Sequence, residues 1–206
     1  MKLSADDVPF LLHDSTLDRT TPAQGIAGER DWQALSQLDA GRWHSRAFAG
    51  EPIPTLDAIA AFCLANGHAL NIEIKPTEGT DAHTGEVVAR AAARLWAGVA
   101  VPPLLSSFEP AALAAAMAAE PQLPRALLLD TLRDGWFDEA RALGCVAVVT
   151  NHRVMNTTVV AQLHGAGMRA LVYTVNDVQR AQELLALGVD GIITDAVDRF
   201  EPGLGA

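Results

Sequence analysis

At 206 residues and 50% hydrophobic, the chain is long enough for one sizeable core, and residues 1–206 read as a single domain. Its 25 acidic against 15 basic residues leave a formal charge of −10, which repels nucleic acid and anionic membrane surfaces and excludes both as expected partners. The opening residues carry no apolar leader and no run approaches the roughly 18 apolar residues of a membrane span, so a cytoplasmic protein is expected.

In chain order, a short apolar run over residues 8–12 ends in His13-Asp14. Residues 15–52 then follow no repeat: they contain Gly25, Gly28, Gly41 and Gly50, the aromatics Trp32, Trp43 and Phe48, and a helical patch over 31–38. The segment is longer than an ordinary connection, and its aromatics predict an ordered insertion over a barrel mouth. From residue 54 onward, strand-like runs (70–75, 103–107, 125–129, 145–150, 169–175, 188–194) alternate with helical stretches (54–66, 84–97, 109–120, 134–143, 156–166, 177–187). Gly67, Gly144, Gly167 and Gly188 stand at helix ends. The strands are too uniformly apolar for one wet face. Cys63 and Cys145, far apart within apolar stretches, read as buried free thiols.

A β-α repeat without hairpins requires right-handed crossovers and a parallel sheet, closed as a barrel or open and doubly wound. No Gly-x-Gly-x-x-Gly follows the first strand, and polar residues gather at strand C-terminal ends: Glu73 and Lys75, Ser106 and Ser107, Asn151, Tyr173 and Asn176, Thr194 and Asp195. In a barrel these ends form the ring that carries the active site. The expected class is therefore α/β, and these ends favour the barrel, which needs eight strands. Six clear strands and the run at 8–12 fall short of eight, so the barrel is expected to be incomplete at the N-terminus.

Two constellations could carry chemistry. His13 ends an apolar run, where an imidazole can serve as general acid or base, although a lone His-Asp pair equally suits a surface histidine. Glu73 and Lys75 alternate with Ile72 and Ile74, which puts carboxylate and ammonium on one strand face. They could form a structural ion pair. They could equally be a hard-metal ligand beside a phosphate-binding lysine, the local cation that an acidic scaffold needs for a phosphate substrate. His44, His68, His83 and His164 lack a partner at metal-ligand spacing, His44 and His83 being expected in loops; His152, after a strand end, is the more suspect of the remainder.

Read together, Leu11-Leu12-His13-Asp14-x-x-Leu17-x-Arg19-Thr20-Thr21, Gly50-Glu51-x-Ile53-Pro54-Thr55-Leu56 and Asn71-Ile72-Glu73-Ile74-Lys75 resemble the glycerophosphodiester phosphodiesterase family in order and spacing. Leu105-Ser106-Ser107-Phe108, Val172-Tyr173-Thr174-Val175-Asn176 and Gly191-Ile192-Ile193-Thr194-Asp195 resemble its later strand ends. Leu95-Trp96-Ala97-Gly98 and Asp39-Ala40-Gly41-x-Trp43 look closest to the compact cytosolic members encoded with glycerol-3-phosphate uptake systems. The resemblance implies a (β/α)8 TIM-type barrel with a small insertion, and hydrolysis of a small glycerophosphodiester to sn-glycerol 3-phosphate and an alcohol, with Ca²⁺ or Mg²⁺ on the phosphate oxygens. It further implies that two histidines act as acid and base, one falling on His13. The implied metal glutamate falls on Glu73, the phosphate-contacting lysine on Lys75, and the glycerol-pocket positions on Phe108 and Tyr173.

The family's first-strand His-Arg and its Glu-x-Asp carboxylates have no counterpart in these residues, so the 206-residue chain by itself is expected to be inactive or nearly so. Two other functions compete with hydrolysis. One is a non-catalytic barrel that keeps a glycerol-phosphate pocket. The other is a barrel lyase or aldolase, which would need a Schiff-base lysine or an electron-sink cofactor, whereas Lys75 beside a carboxylate is expected to stay protonated.

Overall fold

The computed structural model describes residues 1–200. The chain divides into two compact units, Met1–Leu123 and Pro124–Ala206. Both are α/β.

The first unit begins with a hairpin, β1 (Lys2–Leu3) paired antiparallel with β2 (Pro9–Phe10). Residues 8–12, counted from sequence among the barrel strands, therefore form the return arm of a hairpin. The reason lies in the turn. Asp7 takes a left-handed conformation (φ 63°), the Asp7 amide donates to the Ser4 carbonyl at 3.0 Å, and the Val8 amide donates to Ser4 Oγ at 2.9 Å. Aspartate is among the few side chains that tolerate this region. Lys2 and Leu3, two residues with no alternation to read, gave no strand signal of their own.

Residues 15–52 contain 3-10 turns at Ala27–Glu29 and Arg46–Phe48, a single turn of helix α1 (Trp32–Leu35), and isolated antiparallel bridges Thr16 to Ile26 and Asp39 to Pro52. The segment is tied down by its own small core: Leu17, Ala27 and Leu35 are buried with Phe10 and Ile53, and Trp32 packs against them. Helix α2 (Leu56–Asn66) follows, capped by Thr55 Oγ1 on the Ala58 amide and closed by Gly67 at φ 69°. Then come β3 (Asn71–Glu73), α3 (Asp81–Leu95), β4 (Leu104–Ser107) and α4 (Pro110–Ala119). β3 and β4 are parallel, with Glu73 opposite Ser106. A core of Leu56, Ile72, Ile74, Val88, Trp96 and Leu105 joins strands and helices.

The second unit holds β5 (Arg125–Leu129), α5 (Trp136–Ala142), β6 (Ala147–Asn151), α6 (Thr157–Gly165), β7 (Arg169–Tyr173), α7 (Val178–Ala186) and β8 (Gly191–Ile192). Its strands pair in parallel in the order β5-β6-β7-β8. All five residues of β5 are buried, as a strand covered on both faces requires. Among the described residues both cysteines are buried free thiols, and burial pushes the Cys145 thiol up to about 11. No helix of the described residues is long and apolar enough to cross a membrane.

Candidate active site

The β3 segment Asn71-Ile72-Glu73-Ile74-Lys75 positions the charged pair. Ile72 and Ile74 are 2% and 1% exposed and anchor the strand in the core, which leaves Glu73 and Lys75 on the other face. Their side chains, each about one-third exposed, approach to 3.9 Å between Lys75 Nζ and Glu73 Oε1. The backbone around them is held on both sides. Met1 donates to the Glu73 carbonyl at 2.6 Å and accepts from the Lys75 amide at 2.9 Å, while the Ile74 amide donates to the Ser106 carbonyl at 2.6 Å. Ser107 Oγ donates to the Ile74 carbonyl at 2.7 Å.

His13 joins the pair from the loop after β2. Its Nε2 lies 3.2 Å from Lys75 Nζ and its Nδ1 2.9 Å from Asp14 Oδ1. An ammonium only donates and an ionised carboxylate only accepts. With the ammonium as donor and the carboxylate as acceptor, the two contacts assign Nε2 as acceptor and the ring hydrogen to Nδ1. Arg19 holds Asp14 from the other side, Nε to Oδ2 at 2.6 Å and Nη2 to Oδ1 at 3.1 Å. The Arg19 guanidinium, and after it the His13 ring, keep the Asp14 carboxyl well below the usual carboxylate range. Behind Glu73 and Lys75, Lys2 is wholly buried and donates to the Lys75 carbonyl at 3.1 Å; burial, then the neighbouring Lys75 charge, lowers its pKa.

His13, Glu73 and Lys75 line one open cleft of about 320 Å³, with Leu12 and Asn71 along it. Phe108 follows β4 and is 37% exposed. Tyr173, at the end of β7 in the second unit, donates its hydroxyl to Asp130 Oδ1 at 3.3 Å, and Asn151 Nδ2 donates to the same oxygen at 3.0 Å. The structure thus brings together three of the five sequence-derived residues within the first unit.

The cleft holds an ammonium on Lys75 and an imidazole on His13, but among the described residues Glu73 is the one carboxylate lining it, already in ion contact with Lys75. A hard divalent ion favours several oxygen ligands, and no group of three or more His, Cys, Asp or Glu side chains among the described residues could hold one. These residues do not form a Ca²⁺ or Mg²⁺ site.

The other histidines have structural partners. His152 Nδ1 and carbonyl accept from Arg180 at 3.4 and 2.8 Å, and burial, then Arg180, lowers the pKa of this ring. His164 pairs with Asp190 at 2.8 Å. His83 pairs with Asp7 at 2.7 Å from the first turn of α3, not from a loop as the sequence suggested, because the helix starts at Asp81. His44 stacks edge-on against Trp43 and Phe48. What sequence reasoning left without a role is Asp14, Arg19 and Lys2. Asp14 and Arg19 both stood within a quoted motif, yet their spacing of five residues follows no strand or helix period.

The family model described as the glycerophosphoryl diester phosphodiesterase family matches residues 1–199. A glycerophosphodiester phosphodiesterase of Caldanaerobacter subterraneus subsp. tengcongensis is 28% identical over 201 residues, which are 95% of this chain and 79% of that protein. One of Bacillus subtilis strain 168 is 25% identical over 219 residues, covering 97% of this chain and 73% of the relative. Among solved structures, a phosphodiesterase of Oleispira antarctica in complex with the product sn-glycerol-3-phosphate superimposes with a TM-score of 0.88 at 29% identity, over 96% of this chain and 80% of that one.

Proposed function

The chain belongs to the glycerophosphoryl diester phosphodiesterase family, and from that premise we propose that its cleft serves the hydrolysis of glycerophosphodiesters to sn-glycerol 3-phosphate and an alcohol. The α/β fold is of the barrel type that the superimposed relatives share. The observation that carries the reading is the contact line from His13 Nε2 to Lys75 Nζ to Glu73 Oε1, which puts a proton acceptor, a cation and a carboxylate in one cleft. The bound product of the Oleispira antarctica relative supports a small glycerophosphate ligand. A cytoplasmic location, residues 1–206 as one domain and 15–52 as an insertion over the barrel mouth belong to the same reading.

Lys75 Nζ takes a non-bridging oxygen of the diester, exchanging its contact with His13 for one with the anion and stabilising the charge that builds on phosphorus oxygens. His13 Nε2, released from Lys75, accepts the proton of the glycerol 2-hydroxyl as that oxygen bonds to phosphorus and the bond from phosphorus to the alcohol oxygen breaks; solvent protonates the departing alkoxide. Water then opens the cyclic phosphodiester to sn-glycerol 3-phosphate while the His13 proton returns to the 2-oxygen and Nδ1–H stays hydrogen-bonded to Asp14. Phe108 and Tyr173 carry glycerol-pocket assignments from the family resemblance alone. Glu73 holds Lys75 in ion contact at 3.9 Å, and a Ca²⁺ or Mg²⁺ ion would need further carboxylates than these residues offer.

These residues contain one half of an acid-base pair, so binding without appreciable turnover is the second reading, favoured by the single carboxylate in the cleft. The experiment is to titrate the 206-residue chain with sn-glycerol 3-phosphate by calorimetry and to assay glycerophosphocholine hydrolysis with added Ca²⁺ or Mg²⁺. Expected are binding that Lys75→Met abolishes, and turnover about 10²-fold or more below that of relatives carrying both acid and base. Rapid, chelator-sensitive hydrolysis would overturn the slow-turnover expectation; absence of binding would overturn the substrate assignment.

A further inference from the structure

The sequence motif around His13 leaves unexplained what holds the imidazole in place. With 73% of its side chain exposed, His13 has too little packing to set its orientation, so the ring is oriented by its hydrogen bonds. Asp14 sets Nδ1, and Asp14 is itself held by both prongs of Arg19. Arg19 in turn lies over the Trp43 ring, its guanidinium carbon 5.2 Å from the centroid. Trp43 is fixed from below by its indole N–H, which donates to the Ala40 carbonyl at 2.9 Å, and from the side by the edge-on His44 ring. An unbroken run of contacts therefore passes from the 15–52 segment to the reactive nitrogen: Trp43, Arg19, Asp14, His13.

We propose that Arg19, held against the Trp43 face, is a positioning residue that keeps Asp14 on Nδ1 of His13 and so leaves Nε2 unprotonated and facing Lys75. The inference rests on the reading that His13 moves the proton, and it gives the irregular 15–52 segment a task in that step. The physical requirements are particular. A planar fork gives Asp14 two parallel hydrogen bonds, which a point-charge ammonium does not. An aromatic face restricts a guanidinium that would otherwise sample many rotamers at 52% side-chain exposure. A carboxylate on one ring nitrogen selects the tautomer and raises the basicity of the other.

The test is a ¹⁵N resonance measurement on the full chain labelled at histidine, above the usual histidine range, where imidazoles are neutral. The parent is expected to show the Nδ1–H pattern at His13. Asp14→Ala, Arg19→Met and Trp43→Leu are each expected to lose it to an averaged pair of signals, and Trp43→Phe, which keeps an aromatic face, is expected to retain it. His83, paired separately with Asp7 in the same unit, reports in every sample that this unit is folded; where Arg19→Met loses the His83 signals, Arg19→Gln replaces it. Parental His13 signals in the Arg19 or Trp43→Leu variant overturn the proposal, and so does an equal loss in Trp43→Phe and Trp43→Leu. Because this readout needs no turnover, a chain that shows the pattern but binds no sn-glycerol 3-phosphate counts against the proposed function alone.

Discussion

Lys2 is the residue whose chemistry is least comfortable. Its ammonium is wholly buried and, among the described residues, its hydrogen bond goes to the Lys75 carbonyl, with a second lysine nearby. Burial lowers its pKa from the usual 10.5, which means the folded chain gives up this proton more readily than the unfolded chain does. Between the lowered value and 10.5 the unfolded state binds more protons, so stability rises with pH across that window. Below the window the charged, desolvated group opposes folding in full. Lys2→Met is therefore expected to stabilise the chain at neutral pH by about 1 kcal/mol, the usual sign when a buried charge gives way to an apolar group of similar volume. Urea melts of parent and variant at neutral and alkaline pH check this: the gap should close as pH rises. A variant less stable than the parent at neutral pH would show that the lost bond to the Lys75 carbonyl outweighs the relieved charge.

At the scale of elements, the packing of α3 on α4 depends on Gly85. A Cβ built there would stand 2.1 Å from the Ala112 carbonyl oxygen and 2.8 Å from its carbon, both backbone atoms that no rotamer change can move. Alanine in a helix interior gains about 1 kcal/mol over glycine in propensity, while overpacking a tight contact costs about 1–3 kcal/mol or more. Here the overlap is with backbone, so the second effect wins. Gly85→Ala should lose about 1–2 kcal/mol in denaturant titration, and a gain would mean the helices part freely. The same contact shows where sequence reading ends. Helical periodicity located α3 and α4, and the apolar runs located β3 to β8, because those signals are local and long. Neither the hairpin β1-β2 nor the approach of Gly85 to Ala112 leaves a periodic trace, since one rests on a left-handed Asp7 and the other on a partner 27 residues away. In the site, the alternation of Glu73 and Lys75 with Ile72 and Ile74 was legible for the same reason: a strand repeats every two residues. The hold of Arg19 on Asp14 was not legible, because it is made within a loop.

For the whole molecule, the decisive quantity is the net charge of −10 set against a cleft whose cations are few. An anionic glycerophosphate approaching from a distance meets the field of the scaffold before it meets Lys75. Long-range and short-range electrostatics then have opposite signs and different sensitivity to salt. Raising ionic strength from about 0.01 M to about 0.15 M shortens the screening length from about 30 Å to about 8 Å, which removes most of the scaffold repulsion yet leaves a direct Lys75 contact at a few ångström largely intact. The association rate of sn-glycerol 3-phosphate should therefore rise with salt over this range, by about twofold or more, the reverse of the behaviour of a basic phosphate-binding protein. Stopped-flow measurement at several salt concentrations tests it. A rate that falls as salt is added would mean that Lys75 and its neighbours, rather than the acidic surface, govern the approach of the ligand.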